Sequence, residues 1–104
     1  MSKPRYTIEE IREKAVPIAQ KYGVKKLWLF GSYARGEADA ESDVDFLIDE
    51  GTGKIQSLLP YFSFVLDLED EFKCHVDVVM DRSSDKKFLA EIKQDEVLLY
   101  EESA

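Results

Sequence analysis

The chain has 104 residues, and its 22 acidic against 14 basic side chains give a formal net charge of −8 at pH 7. This length is enough for one hydrophobic core but not for two, so we predict a single domain over residues 1–104. The negative charge argues against a template-reading polymerase and against direct nucleic-acid binding, because such binding depends on lysine and arginine displacing counterions. It favours a basic protein or a metal–nucleotide complex as partner.

Cysteine content and hydropathy indicate the cellular compartment in which the protein is expected. Cys74 is the only cysteine, so the sequence offers no internal disulfide and no thiolate metal site. No apolar run approaches the length of a membrane span, and the N-terminus lacks the apolar core of a signal peptide. We therefore expect a cytoplasmic protein that does not associate with membranes.

The order of helices and strands follows from apolar spacing and from capping residues. Thr7 and Glu10 form a capping box that opens a helix, and Gly23 ends it. We predict the other elements, in chain order, as a strand over 27–30 buried on both faces, a loop over 31–42 with a short helix near Ser32, a strand over 43–48, a turn at 51–53, a helix over 60–72 with an extra turn over 55–59, a strand over 75–80, a helix over 85–93 and a strand or extended tail over 97–100.

This order predicts an α+β fold with one small mixed sheet, helices packed on one face and an open catalytic face. The residues expected to pack against the helices alternate along two strands: Val44, Phe46, Ile48, Val76, Val78 and Met80. The helix over 60–72 is expected to carry Phe62, Val65, Leu66 and Glu69 at helical spacing along one side.

Three aspartates are expected on the open face. Asp43 and Asp45 share one side of their strand, because strand side chains alternate, and Asp77 lies between two valines on the next strand. An acid on a central strand is costly unless something compensates for its charge, and two adjacent carboxylates repel each other unless a cation lies between them. Their convergence predicts a metal site that holds Mg²⁺, with two ions expected.

The segment before these acids is suited to phosphate. Gly31 lets the backbone approach a phosphate closely, Ser32 offers a hydroxyl at the start of a helix, and Arg35 can pair with the same anion. In this scheme Asp43 and Asp45 bind the ions and a triphosphate. Asp77 completes the ion beside the attacking hydroxyl and helps to remove its proton.

Each residue also has a purely structural interpretation. A Gly-Ser pair is most often an ordinary loop, and Arg35 can be a solvated loop arginine. His75 shares the face of Asp77, but a histidine at the surface end of a strand is more common than a catalytic helper. The acidic run over residues 69–71 is typical of a solvated helix face.

The segments FGSYARG at residues 30–36 and SDVDFL at 42–47 resemble the signature of the DNA polymerase β-type nucleotidyltransferase superfamily. The chain is most similar in size and motifs to the minimal nucleotidyltransferases (MNT), and VDVV at 76–79 matches the strand of their third carboxylate. The resemblance implies catalytic and metal-binding roles for Asp43, Asp45 and Asp77, and nucleotide-binding roles for Gly31, Ser32 and Arg35.

The resemblance also implies a partner and an acceptor. Minimal nucleotidyltransferases are commonly encoded beside a HEPN ribonuclease toxin, and they act as its antitoxin by transferring AMP from ATP to a toxin tyrosine. A hetero-oligomer with that toxin is expected. Two rival functions remain open at this point. The chain can be a nucleotide-binding antitoxin that inhibits only by covering its toxin, or a nucleotidyltransferase for a small molecule such as an aminoglycoside.

Overall fold

The computed structural model describes residues 3–49, 58–81 and 85–102. Helices and strands alternate along these residues in the order α1 Ile8–Lys21, β1 Lys26–Phe30, α2 Gly31–Arg35, β2 Val44–Asp49, α3 Leu58–Phe72, β3 Val76–Met80, α4 Lys86–Asp95 and β4 Val97–Glu101. The elements match the predicted order, with ends that differ by one or two residues. The predicted turn at 51–53 and most of the extra turn at 55–59 lie outside the described residues.

The four strands form one mixed sheet in the order β3-β2-β1-β4. Strand β1 is antiparallel to both β2 and β4, whereas β2 and β3 run parallel. The parallel pair positions the predicted acids, because its two strands start at the same edge and Asp45 is the register partner of Asp77.

Helix α1 begins as the sequence predicts. The Thr7 hydroxyl accepts a hydrogen bond from the Glu10 amide, and the Glu10 carboxylate accepts one from the Thr7 amide, which completes the capping box. The helix packs beside α3, and the Tyr22 hydroxyl donates to Asp67 of α3 at 2.6 Å. Together α1 and α3 cover one face of the sheet.

The core between these helices and the sheet contains the strand residues that alternation predicts. Val44, Phe46, Ile48 and Val76 are buried there, and Val78 and Met80 pack against them in part.

Strand β1 differs from the prediction that both of its faces are buried. Leu27 and Leu29 are fully buried, but Trp28 and Phe30 on the opposite side are only half-buried. The core therefore lies mainly on one side of the sheet.

Helical spacing alone does not identify the buried side of α3. Phe62 and Leu66 are 52% and 63% exposed, while Phe64, Leu68 and Phe72 are buried against the sheet. The first half of the helix, residues 58–66, is apolar except for Ser63, so helical spacing there fits two different faces equally well. The position of the sheet decides between them.

Helix α4 refines the predicted arrangement because it packs on the side of the sheet that carries the acids. Phe88 of α4 contacts Phe30 edge to face, with ring centroids 6.4 Å apart, and Phe30 is the register partner of Asp45. Leu47 on the same side is fully buried, as is Ile92 of α4. The face of the sheet that carries the acids is thus open only where α4 leaves it uncovered.

In the described part of the chain, no helix combines the length and apolar character needed to cross a bilayer.

Candidate active site

Gly31 stands at the end of β1, against the carboxylate of Asp45. Its φ of +77° is a conformation that residues with a Cβ rarely adopt. A Cβ placed there would lie 3.0 Å from Asp45 Cγ and closer still to Oδ2. Only glycine therefore permits this close approach between the loop that starts α2 and the acid on β2.

Asp45 and Asp77 are register partners in the parallel strands β2 and β3. Their side chains share one side of the sheet. Burial, hydrogen bonding to Asp77 and the charges of Asp77 and Asp43 raise the pKa of Asp45 to about 6, and Arg35 opposes this shift. Asp45 therefore holds its proton to a higher pH than a free aspartate does, because ionising it places a charge in a half-buried position beside other acids.

Asp43, Asp77 and His75 form a second close group beside this pair. Each offers one ligand atom, and the three atoms lie within 4.8 Å of one another. Asp43 directly precedes β2 and His75 directly precedes β3, and the Val44 amide donates to the His75 carbonyl at 3.2 Å. The parallel pairing of the two strands therefore brings these side chains together.

Both ring nitrogens of His75 have carboxylate partners. Nε2 lies 2.9 Å from Asp77 Oδ1, and Nδ1 lies 3.2 Å from Glu69 Oε2 on α3. The hydrogen bond and charge of Asp77 are the main causes that raise the pKa of His75. Glu69 is held in place by a further bond, because its Oε2 also accepts from the Val76 amide at 3.3 Å.

Ser32 and Arg35 lie in α2 on the same side of the site as Gly31. Ser32 is half-buried, and its carbonyl accepts from the Glu37 amide at 2.9 Å. Arg35 is exposed; its guanidinium bonds to Glu37 and lies 3.9 Å from Asp95 of α4. The arginine lies near enough to Asp45 to lower its pKa, but its N–H groups are directed at the carboxylates of Glu37 and Asp95.

Beside Gly31 and Arg35 a cavity of about 350 Å³ opens between α2 and α4. Phe30 and Phe88 form its apolar wall, and Gln94 and Asp95 contribute polar groups. The space continues directly from the turn that carries the phosphate-type motif. Helix α4 therefore shapes the surroundings of the site as well as covering the sheet.

Arg5 ties together the two segments that lead into the acids. Its Nε donates to the Ala40 carbonyl at 2.8 Å, and Nη1 donates to the Lys73 carbonyl at 3.1 Å. Lys73 has a φ of +57° at the turn between α3 and His75. The N-terminal segment thus fixes the spacing of the loop before Asp43 and the turn before β3.

The structure brings all the predicted site residues to one edge of the sheet, with Arg35 somewhat apart. Sequence reasoning missed two contributors, Glu69 and Arg5, and it ranked a surface position for His75 above a role beside Asp77. The spacing of two residues between His75 and Asp77 on one strand was the available signal for the histidine. No comparable signal marks Arg5, whose bonds reach 35 and 68 residues along the chain.

The donor set fits a divalent cation. Ligand atoms of Asp43, Asp77 and His75 lie within 4.8 Å of one another, and Asp45 is the register partner of Asp77. Burial is the largest cause of the raised pKa of Asp45, and Asp77 and Asp43 add to it. Two carboxylates on one strand and a third on its parallel neighbour suit Mg²⁺, which is usually held by a few carboxylates together with substrate phosphates.

Several known proteins are similar to this chain in sequence. Residues 13–104 match the family model described as polymerase beta, nucleotidyltransferase. Protein adenylyltransferase MntA of Thermococcus cleftensis is 38% identical over 96 residues, which cover 88% of this chain and 94% of that protein. MJ0435 of Methanocaldococcus jannaschii, named as a proposed protein adenylyltransferase, is 44% identical over 72 residues, or 69% of this chain and 75% of that protein.

Solved structures share the fold. One described as a proposed minimal nucleotidyltransferase has a TM-score of 0.75 at 27% identity, and the match covers 89% of this chain and 96% of that one. A chain in the complex of a tri-AMPylated Shewanella oneidensis HEPN toxin with an MNT antitoxin has a TM-score of 0.70 at 16% identity, and the match covers 90% of this chain and 72% of that one. The second likeness bears on the fold alone. The predicted fold class is confirmed.

Proposed function

This chain belongs to the polymerase-beta nucleotidyltransferase family, and we propose that it is a protein adenylyltransferase that serves as the antitoxin of a HEPN ribonuclease. The proposed reaction transfers AMP from ATP to a tyrosine hydroxyl of the toxin. The observation that carries the proposal is the pairing of Asp45 with Asp77 in parallel strands, next to Asp43 and Gly31. The activity name of the Thermococcus relative supports the choice of a protein acceptor.

The reaction balances as a single displacement at phosphorus. The acceptor oxygen forms a bond to the α-phosphorus, and the bond from that phosphorus to the bridging oxygen of the β-phosphate breaks. Diphosphate leaves, and the hydroxyl proton passes to the Asp77 carboxylate and from there to solvent. Bound Mg²⁺ supplies Lewis-acid stabilisation of the charge on the attacking and leaving oxygens.

The residues of the chain divide this work by position. Asp43 and Asp45 hold the metal–triphosphate, and Asp77 lies on the side where the acceptor hydroxyl enters. The Gly31 and Ser32 backbone amides and the Ser32 hydroxyl bind the outer phosphates, which can approach because Gly31 has no side chain. Arg35 exchanges its present carboxylate partners, Glu37 and Asp95, for a phosphate oxygen.

The partner is proposed from charge and from fold likeness. A net charge of −8 is complementary to a basic protein, and a ribonuclease must carry basic groups to bind its substrate. The MNT antitoxin fold also occurs beside an AMP-modified HEPN toxin in the Shewanella complex. We therefore propose a HEPN protein encoded next to this chain as the acceptor, in a hetero-oligomer.

Intact mass measurement of that HEPN protein, after incubation with this chain, ATP and Mg²⁺, tests the proposal. The wild type should add one or more AMP masses, and peptide mapping should place them on tyrosine. The Asp43→Asn/Asp45→Asn variant should add none while its thermal unfolding stays cooperative.

A matched control removes two charges elsewhere. Glu41→Gln/Glu102→Gln changes two exposed acids outside the site and should transfer AMP like the wild type. Undiminished transfer by the Asp43→Asn/Asp45→Asn variant would end the catalytic proposal. Inhibition of the ribonuclease without any AMP adduct would instead favour an antitoxin that acts by covering its partner.

A further inference from the structure

His75 occupies an unusual position between two carboxylates, one on its own strand and one on α3. Its Nδ1 lies 3.2 Å from Glu69 Oε2, and its Nε2 lies 2.9 Å from Asp77 Oδ1. A neutral imidazole carries only one N–H, so it can donate to only one of these two acids. The other nitrogen then presents a lone pair to a negatively charged oxygen.

Glu69 is the fixed acceptor of the two. It is only 31% exposed, and its Oε2 is already aligned by the bond from the Val76 amide. With the N–H on Nδ1, where Glu69 accepts it, Nε2 of a neutral ring is left with a lone pair 2.9 Å from Asp77 Oδ1. A cation bound at that point would take the place of the proton that otherwise joins Nε2 to Asp77.

The third member of the group shows where such a charge fits. A carboxylate oxygen of Asp43 joins Asp77 and His75 with all three ligand atoms within 4.8 Å of one another. We propose that His75 Nε2 is a direct ligand of the divalent ion that Asp43 and Asp77 hold, and that Glu69 orients the imidazole through Nδ1. The inference rests on the proposed function in that it takes these acids to be the metal site.

The arrangement of Glu69, His75 and the ion follows a general pattern. A metal-bound histidine almost always donates its other N–H to a carboxylate or carbonyl, which fixes the ring and raises its basicity as a ligand. A nitrogen donor also changes the preference of the site, because imidazole suits transition ions better than it suits Mg²⁺. The site should therefore bind Mn²⁺ more tightly, relative to Mg²⁺, than a site built from carboxylates alone.

The sequence makes this ligand directly observable. The chain contains one histidine, so protein without an affinity tag that is grown with ¹⁵N-histidine is labelled in its imidazole at His75 only. Pulsed electron paramagnetic resonance of Mn²⁺ bound to the full chain should show modulation from a coordinated ¹⁴N in unlabelled protein. In labelled protein that modulation should change to the ¹⁵N frequencies. Bound Mn²⁺ whose spectrum ignores the label overturns the inference.

Titration of variants with Mn²⁺ and with Mg²⁺ provides a second readout. His75→Ala should weaken Mn²⁺ binding about tenfold and Mg²⁺ binding much less. Glu69→Gln keeps an oxygen acceptor for Nδ1 and should retain most of the affinity, whereas Glu69→Ala should not. Gln20→Ala, an exposed change on α1, is the control and should bind both ions like the wild type. Equal losses of Mg²⁺ and Mn²⁺ affinity in His75→Ala would contradict direct ligation.

Asp43→Asn separates this inference from the proposed function. If Asp43→Asn loses Mn²⁺ but the isotope label has no effect, the acids bind the ion and only the role of His75 is wrong. If Asp43→Asn binds Mn²⁺ as tightly as the wild type, the ion lies elsewhere and the proposed metal site fails together with the inference.

Discussion

Asp45 and Asp77 are partners in the register of two parallel strands, so their carboxyl groups lie side by side on one side of the sheet. Burial, followed by the contact with Asp77, raises the pKa of Asp45 to about 6. In the absence of a cation the ionised pair is therefore a source of instability at neutral pH. The same uncompensated charge is what would attract a metal–nucleotide complex.

Replacing Asp45 should stabilise the metal-free protein. Asp45→Asn removes the charge but keeps the shape, so we expect the free energy of unfolding at pH 7 without metal to rise by about 1 kcal/mol, which allows for solvent screening at this half-exposed position. Chemical denaturation measures the change. AMP transfer by the variant should be lost, and a variant that is both less stable and active would contradict this account.

The pH dependence of stability follows from the direction of the Asp45 shift. Its pKa in the fold, about 6, lies above the usual value of 3.8, so the folded state binds the extra proton. The stabilisation from this group is complete below about pH 4 and is lost as the pH rises through 6. The stability difference between wild type and Asp45→Asn should therefore be absent at pH 4 and appear by pH 7. A difference that is constant with pH would contradict the assigned shift.

Magnesium should oppose this loss. Ions bind the ionised carboxylates, so protons compete with them, and the rise in melting temperature caused by Mg²⁺ should be large at pH 7 and small below pH 6. Thermal unfolding with Mg²⁺ and with EDTA, across that range, measures the effect. Asp45→Asn should respond weakly to Mg²⁺ at every pH.

Gly31 should be intolerant of a side chain for two separable reasons. Gly31→Ala adds a methyl group that meets the Asp45 carboxylate, and it also strains a backbone with φ of +77°. Gly23→Ala has nearly the same φ of +72° but meets nothing within 4 Å, which makes it the matched control. Gly23→Ala should destabilise by about 1 kcal/mol and remain active. Gly31→Ala should destabilise further and lose ATP binding; similar activity in the two variants would contradict the close contact.

Arg5 should act on the site without touching it. Arg5→Ala frees the carbonyls of Ala40 and Lys73, so the acids lose their fixed spacing, and Mg²⁺ affinity should fall about tenfold. Arg12→Ala is the control, because Arg12 also donates to backbone carbonyls, those of Leu98 and Leu99, but at the far edge of the sheet. If both arginine variants lose the same Mg²⁺ affinity, the loss reflects general destabilisation.

The sequence predicts the acids well because alternation along a strand is a strong rule. Asp45 and Asp77 are flanked by apolar residues that must face the core, and this leaves them only the other side of the sheet. Asp43 lies two residues before Asp45 and so shares that side. The side of α3 that faces inward is not predictable in the same way, because Phe62 and Phe64 are equally apolar and only the sheet distinguishes them.

The contacts of Glu69 and Arg5 depend on distant parts of the chain. Glu69 reaches His75 only because α3 ends in a turn with Lys73 at positive φ, which directs the chain back along β3. Arg5 depends on two loops that come together only after the parallel strands pair. Neither arrangement has a local signature, which is why spacing and composition predict the acids but not their supports.

Calorimetric titration of the full chain with a non-hydrolysable ATP analogue, in Mg²⁺ and in EDTA, tests the central claim most directly. Wild type should bind the analogue in Mg²⁺ and at least about a hundredfold more weakly in EDTA, a difference of about 2.7 kcal/mol. Asp43→Asn/Asp45→Asn should bind weakly in both buffers. Equal binding with and without Mg²⁺, or unchanged binding by the variant, would contradict the assignment of these acids to a metal–triphosphate site.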